Sequence, residues 1–121
     1  MTENGMVYLD DVVLITAVVR RGLGDGVVEA AVGAGAQGGT VSYGSGVGYR
    51  ERLGVLGLAV DVERELVYVL VRRAEEKSVF AAMAAAEGLD RPGRGLLFTT
   101  PVERFAAFGS DVQPSSPEQE P

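Results

Sequence analysis

The chain has 121 residues, a net charge of −6, a sequence pI near 4.6 and a hydrophobic fraction of 46%. This size predicts one domain with a real core, and an acidic chain whose longest basic clusters are pairs of arginines does not favour nucleic-acid binding. The absence of histidine and cysteine excludes thiol chemistry, disulfides, zinc sites of the usual ligand set and a histidine general base.

The first half of the chain predicts a strand, a helix and a second strand. Val12–Val19 is β-branched and almost continuously apolar, which is typical of a strand buried on both faces. Asp25 or Gly24 can cap the helix that follows, and the glycines from Gly33 onward end it. Thr40–Tyr43 is the second predicted strand. The arginine pair after the first strand is expected to end it at the surface.

The second half predicts a strand, a helix and a last strand. Glu63–Glu65 is predicted to turn the chain before Leu66–Val71, the clearest strand of the sequence. Glu75 and Glu76 favour a helix start because they stabilise the positive end of its dipole, and the helix runs to Gly88. Gly95–Thr99 is the last strand, and the proline two residues later, at position 101, limits it to an edge or an end.

These elements predict an α+β fold of the ferredoxin-like βαββαβ type, an antiparallel sheet with two helices on one face. The third strand is nevertheless apolar on both sides, with Leu66, Tyr68 and Leu70 on one and the valines between them on the other. A monomer would expose one of these sets as a large patch, so we expect an oligomer that buries it.

The domain is expected to cover residues 1–109. The polar, proline-rich tail over residues 110–121 is predicted to be disordered. No apolar run is long enough to span a bilayer and no export signal is evident, so direct membrane insertion is not expected and the predicted location is the cytoplasm.

Glycines are concentrated between the first helix and the loop after the second strand, from Gly35 to Gly48. Glycine in a strand weakens it and often marks close approach of a ligand or another backbone. A bulged hairpin or a tight crossing explains the pattern equally well, so both interpretations remain open. After the glycines, a loop carries Tyr49, Arg50, Glu51 and Arg52, and Val55–Val60 can extend as a strand.

Two motifs resemble the P-II (nitrogen-regulatory) superfamily, and in particular its P-II-like branch. The first is Gly38-Gly39-Thr40-Val41-Ser42, followed by Gly46-Val47-Gly48, and the second runs from Gly93 to Glu103 and ends in Pro101-Val102-Glu103. The resemblance implies a homotrimeric signal-transduction protein without catalytic activity or a required cofactor. It also implies an effector such as ATP, ADP or AMP, bound in clefts between subunits, and regulation of a transporter or an enzyme through an inserted T-loop.

The resemblance assigns ligand and partner roles to particular residues. The partner loop would be Tyr49, Arg50, Glu51 and Arg52. The ligand-binding residues would be Gly38, Gly39, Thr40, Gly46, Val47, Gly48, Arg64, Gly93, Arg94 and Gly95.

Three positions depart from the family pattern. Leu96 replaces a lysine, and Ala107 and Gly109 replace two arginines that grip phosphates in the family. The T-loop is also several residues short. Charge-assisted contacts to a polyanion would then fall to Arg94, Arg64 and the loop arginines, while backbone N–H groups of the glycines could cradle a smaller or less charged ligand.

Three alternatives remain. A ligand-binding module could sense another metabolite, such as bicarbonate or an amino acid. An acylphosphatase-type hydrolase would need an asparagine and an arginine on a phosphate, but Asn4, in what is expected to be a ragged N-terminus, is the only asparagine. A divalent-cation protein of the related CutA type is disfavoured without histidine or cysteine ligands, and phosphoryl-transfer motifs are missing.

Overall fold

The computed structural model describes residues 2–3, 5–46, 52–53, 58–59 and 62–109. Several sequence predictions lie outside these residues: Val47, Gly48, Tyr49, Arg50, Glu51, most of the strand predicted over Val55–Val60, and the tail predicted over residues 110–121. For Arg52 only the backbone is described.

The described residues contain nine strands and two α-helices. The strands are β1 (Thr2–Glu3), β2 (Met6–Leu9), β3 (Val12–Arg20), β4 (Thr40–Gly46), β5 (Arg52–Leu53), β6 (Leu58–Ala59), β7 (Val62–Arg72), β8 (Gly95–Pro101) and β9 (Phe105–Phe108). The helices are α1 (Gly24–Gly33) and α2 (Glu76–Ala85), and 3-10 turns at Arg73–Glu75 and Ala86–Gly88 flank α2.

The central sheet is antiparallel with the strand order β4–β7–β3–β8. Together with α1 after β3 and α2 after β7, this is the predicted βαββαβ arrangement, and the α+β prediction is confirmed. Pro101 ends the edge strand β8, as expected for a residue without an N–H for the ladder. Two smaller sheets, β1–β2–β9 and β5–β6, accompany the central one.

Both helices cover the same face of the central sheet and form the core with it. Val13, Ile15 and Val19 of β3 are almost completely buried there. The other core residues are the alternate residues of β7 and the inner faces of the helices, namely Val67, Val69, Val71, Val27, Ala31, Val79 and Met83. The prediction of two helices on one face is therefore confirmed.

The opposite face of the sheet, which we call the open face, carries the second apolar set. Strand register places Leu14, Leu70 and Thr100 in one row, and Thr16, Tyr68 and Phe98 in the next. Leu70, Phe98 and Leu96 remain 47%, 45% and 64% exposed. Since these three side chains remain about half exposed or more, the two-sided pattern seen in the sequence is a real feature of the sheet.

Two predictions about the chain around Glu65 are wrong. Glu63–Glu65 does not turn the chain but belongs to β7. These residues continue the pairing of β7 with β4 and β3, and their side chains lie on alternate faces of the sheet. Neither Asp25 nor Gly24 supplies a side-chain cap for α1, whose N-cap is Leu23. Glu65 satisfies that end of the helix instead.

The N-terminal residues are also ordered in part, against the expectation of a ragged end. β2 pairs antiparallel with β9, so that Val7 lies opposite Ala107 and Leu9 opposite Phe105. The Gly109 N–H donates a hydrogen bond to the Gly5 carbonyl at 2.9 Å. Val7 is buried, and the apolar content of both strands explains their association. Asn4 lies outside the described residues.

Candidate functional site

Most of the described residues that are expected to bind a ligand lie at two opposite edges of the central sheet, whereas Arg64 lies in the interior strand β7. Thr40 and Gly46 belong to β4, whereas Gly95 begins β8, and β7 and β3 lie between them. Three strand spacings separate the edges by about 14 Å. Within one copy of the chain, the two predicted walls of the ligand site therefore do not face each other.

The wall on the β4 side borders a groove with a cavity volume of about 270 Å³. Gly38, Gly39 and Thr40 line one side of it, and Tyr68 lies on its sheet side. Leu9 and Phe105, from the small sheet, also line the groove. An apolar floor with exposed backbone at the rim suits a small ligand with one flat or apolar part.

An ion pair lies at the rim of this groove. Arg72 Nε donates a hydrogen bond to Asp11 Oδ1 at 2.6 Å, and both side chains are part-buried. The hydrogen bond from Arg72 holds the pKa of Asp11 below its ordinary value of 3.8, and the same bond raises the pKa of Arg72. Since its Nε hydrogen bond already goes to a carboxylate, Arg72 is a poor candidate for gripping an anionic ligand.

Packing explains the glycine at position 39 but not the glycine at position 38. A Cβ on Gly39 would lie 3.2 Å from methyl groups of Val28 and Val69 and 3.3 Å from the Tyr68 carbonyl oxygen. The tight-crossing interpretation thus accounts for Gly39. A Cβ on Gly38 would meet nothing within 4 Å, so packing does not require this glycine, and the space beside it is open to a ligand.

The two glycines on the β8 side are also required for different reasons. A Cβ on Gly95 would come within 2.5 Å of the Val18 carbonyl oxygen, so pairing between β8 and β3 requires this glycine. Gly93 has a φ of +79° and open space around it, which indicates a turn residue. Gly95 is thus explained by sheet packing and Gly93 by backbone conformation.

Arg94, between these glycines, is directed at its own loop. Its Nη2 donates to the Glu87 carbonyl oxygen at 2.6 Å, while its Nε is buried without a hydrogen-bond partner. The side chain is half-buried and lies near Gly88, so it is not the solvated turn arginine that a glycine-flanked position suggests. In this arrangement Arg94 braces the loop between α2 and β8.

A second cavity, of about 530 Å³, lies at the end of the sheet where β4 stops and β7 begins. Tyr43 and Ser45 line it from β4, and Arg64 from β7. Arg21, from the turn after β3, forms an ion pair with Glu63 across the cavity wall. The polar lining places charged groups beside the end of β4 and the start of β7.

Glu65 lies at the bottom of this cavity and is only 7% exposed. Its carboxylate accepts hydrogen bonds from the backbone N–H groups of Gly22 at 2.8 Å and Gly24 at 2.7 Å. It therefore fills the N-terminal end of α1, where unpaired N–H groups favour a negative charge. The sequence analysis did not predict this role. The signal for it was an acidic residue at a strand position whose neighbours in the alternation face the core.

The positions where the family has phosphate-gripping residues are apolar here. Ala107 lies in β9, paired with Val7, and Leu96 is 64% exposed on the open face. Gly109 ends the described chain with a backbone hydrogen bond to Gly5. Over the described ranges, His, Cys, Asp and Glu side chains form no group of three or more that could hold a metal ion.

Comparison with solved structures identifies the fold. The chain is similar to PII from Arabidopsis thaliana in a citrate-bound crystal structure, with 24% identity, a TM-score of 0.59, and coverage of 77% of this chain and 78% of that one. It is also similar to CutA from Synechococcus elongatus, with 11% identity, a TM-score of 0.63, and 87% coverage of both chains. The fold expected from the two sequence motifs is therefore confirmed.

Sequence comparison gives no further relative. No protein-family profile matches the chain, and no curated protein sequence matches it either. Among the described residues, none of the helices is long and apolar enough to cross a membrane.

Proposed function

We propose that this chain is a P-II-like regulatory protein that senses a small effector and acts on a partner protein without catalysing a reaction. The observation that carries the proposal is the fold shared with PII over 77% of the chain. Two motifs support it: the glycine motif at the start of β4 and the motif that ends in Pro101-Val102-Glu103. They lie on the two edge strands of the central sheet, β4 and β8.

The proposed assembly is a homotrimer in which each open face packs towards a three-fold axis. Leu70, Phe98 and Leu96 are the exposed apolar residues of that face, and burying the exposed part of each would contribute roughly half of the ~1.5–3 kcal/mol expected for a whole side chain. A closed oligomer is a common way to cover such a patch.

The proposed effector site is a cleft between neighbouring subunits. One wall would come from the β4 edge, with Gly38, Thr40 and Gly46, and the other from the β8 edge of the next copy, with Gly93 and Arg94. The position of these two groups on opposite edges of one sheet supports a cleft made by two copies, since a single copy cannot bring them together.

An adenine nucleotide is the effector we propose first, and a smaller anion is the alternative. The groove beside Gly38 and Thr40 has the size and apolar floor for a base or a similar group. The alternative rests on Leu96, Ala107 and Gly109, which leave fewer cationic contacts for a triphosphate. The PII that this chain resembles is bound to citrate, which supports including carboxylates, bicarbonate and amino acids.

The proposed route to the partner is the segment between β4 and β7, which includes Tyr49, Arg50, Glu51 and Arg52. β4 ends and β7 begins beside the 530 Å³ cavity, so an effector bound there would favour the state of the segment that binds it better. The partner would be a transporter or an enzyme, and the location cytoplasmic.

Calorimetry tests the effector, and light scattering tests the assembly. The full chain is titrated with ATP, ADP, AMP, cyclic AMP, bicarbonate and citrate, and its mass is measured at micromolar concentration. We expect a trimer that binds at least one of these ligands, with up to one site per subunit. A stable monomer that binds none of the panel would contradict the proposal.

A further inference from the structure

The small sheet, made of β1, β2 and β9, turns one of its two faces to the 270 Å³ groove. Register places Leu9 directly opposite Phe105, so both side chains lie on the same face of the small sheet, and both line the groove. Tyr8 and Phe108 lie at alternate positions, on the other face, and are 39% and 67% exposed. The small sheet therefore has an inner face at the groove and an outer face at the surface of the chain.

The small sheet lies outside the hydrophobic core. Among the described residues, none of those that form the buried core cluster comes from β1, β2 or β9. Val7 is buried on the inner face, two residues from Leu9, but it does not belong to that cluster. Leu9 and Phe105 border the cavity of the groove together with Tyr68, so a space remains between the inner face and the central sheet. An element held by few buried side chains opens at a lower free energy than the core.

Two short linkers join the small sheet to the central sheet. Asp10 and Asp11 connect β2 to β3, and residues 102–104 connect β8 to β9. Val13, near the start of β3, pairs with Pro101, the last residue of β8, so the two linkers lie side by side. Hinges are formed by a few residues at the ends of elements, and this arrangement allows the small sheet to move as a unit about its linkers.

Asp11 fastens the first linker to the end of β7 through both its backbone and its side chain. Its carbonyl oxygen accepts a hydrogen bond from the Arg73 N–H at 2.7 Å. Its carboxylate accepts the hydrogen bond from Arg72 Nε at 2.6 Å, and Arg72 lines the groove. The ion pair between Asp11 and Arg72 therefore holds the hinge of the small sheet against the rim of the groove.

We propose that the small sheet is a movable cover of the groove and that the ion pair between Asp11 and Arg72 keeps it closed. In the closed state, Leu9 and Phe105 give the groove an apolar wall from the same chain. The three strands of the cover lie outside the two motifs that resemble the P-II superfamily, so that resemblance does not imply it. The proposal rests on the proposed function only in taking the effector as the occupant of the groove, and the motion is tested without an effector.

Cysteine labelling of the full chain tests the cover, because the sequence contains no cysteine of its own. Val7→Cys places a thiol on the buried inner face, Tyr8→Cys places one on the outer face, and Val69→Cys places one in the fully buried core. A thiol reagent should label Tyr8→Cys fastest and Val69→Cys most slowly. Val7→Cys should react at an intermediate rate, about tenfold or more above Val69→Cys, because the cover opens without unfolding of the core. Circular dichroism confirms that each variant is folded.

A second substitution in the Val7→Cys chain tests the ion pair. Asp11→Asn should raise the labelling rate by about two- to fivefold, the effect expected when a part-buried ion pair is lost. Asp10→Asn is the matched control, because it removes the same charge one residue earlier, at an exposed position. This control should leave the labelling rate unchanged.

Three results would overturn the proposal. Labelling of Val7→Cys as slow as that of Val69→Cys would show that the small sheet opens only when the whole protein unfolds. Labelling as fast as that of Tyr8→Cys would show that the cover is not closed. Equal labelling rates after Asp11→Asn and Asp10→Asn would show that the ion pair does not hold it.

AMP and citrate, each added to Val7→Cys, separate this proposal from the proposed function. A probe that binds in calorimetry should slow the labelling about tenfold at a concentration ten times its Kd, because it stabilises the closed state. If neither probe binds, they are not the effector, and the labelling rates of the free protein still decide whether the cover exists. If a probe binds and the labelling rate does not change, the effector proposal stands and the small sheet is not the cover of its site.

Discussion

Glu65 Oε1 accepts a hydrogen bond from the backbone N–H of Gly24 at 2.7 Å, across 41 residues of sequence. The contact joins the interior strand β7, near its start, to the first turn of α1. It also explains the glycine, because a Cβ on Gly24 would lie 2.5 Å from that oxygen. A strand carboxylate thus replaces the local side-chain cap that α1 lacks.

Glu65→Ala should therefore destabilise the protein. The substitution removes the acceptor of two hydrogen bonds and leaves the Gly22 and Gly24 N–H groups without it. Hydrogen bonds to a charged group contribute about 1.5–3 kcal/mol, and we expect a loss of that size in the free energy of unfolding measured with urea. Glu63→Ala is the matched control, because its exposed ion pair with Arg21 should contribute at most about 1 kcal/mol. Equal losses in the two variants would contradict the capping role.

Gly38 and Gly39 offer a second matched comparison. Gly39→Ala places a methyl group 3.2 Å from Val28 and Val69, and overpacking of this kind costs about 1–3 kcal/mol. Gly38→Ala meets no atom within 4 Å, so stability should be unchanged or rise by up to about 1 kcal/mol. If an effector approaches this backbone as proposed, Gly38→Ala should weaken its binding in calorimetry while the protein stays folded. Undiminished affinity would place the effector elsewhere.

The ion pair between Asp11 and Arg72 should make part of the stability pH-dependent. The pKa of Asp11 is lowered in the folded protein, so its contribution is present above the ordinary value of 3.8 and is lost as the pH falls through the lower folded value. Asp11→Asn should reduce stability by at most about 1 kcal/mol near pH 6, because the pair is only part-buried. Urea unfolding between pH 6 and pH 2.5 should show the two proteins converging in acid. A difference that does not change with pH would rule out this assignment.

Periodicity was sufficient to predict the central sheet, because β3 and β7 are long apolar strands whose alternate residues meet the helices. It failed at Glu63 and Glu65, because composition does not distinguish charged residues at the end of a strand from the charged residues of a turn. Only the packing of α1 on the sheet shows that the Glu65 carboxylate meets the N-terminal end of this helix. The pairing of Val7 with Ala107 depends on a contact between distant parts of the chain, which local patterns do not encode.

The candidate site could be predicted only in outline. The glycine motifs mark the two edges of the sheet correctly, but composition does not separate Gly39, needed for packing, from Gly38, which packing does not require. The placement of Arg20 directly opposite Arg64 was not visible either, because strand register requires the partner strand to be known.

The trimer prediction concerns Phe98 and Val32, which have almost the same exposure in the single chain, 45% and 46%. Phe98 lies on the open face, in the row with Thr16, whereas Val32 lies on α1, on the helix side of the sheet. In a monomer, replacing either half-buried residue with lysine should reduce stability to a similar extent, by about 1 kcal/mol. In a trimer whose open faces pack together, Phe98→Lys would bury a charge without a partner and should dissociate the assembly. Val32→Lys should leave it intact.

Light scattering at micromolar concentration measures the mass, and circular dichroism confirms that each variant is folded. If Phe98→Lys retains the mass of the parent chain, the open face is not the subunit interface, and the proposed cleft between subunits loses its basis.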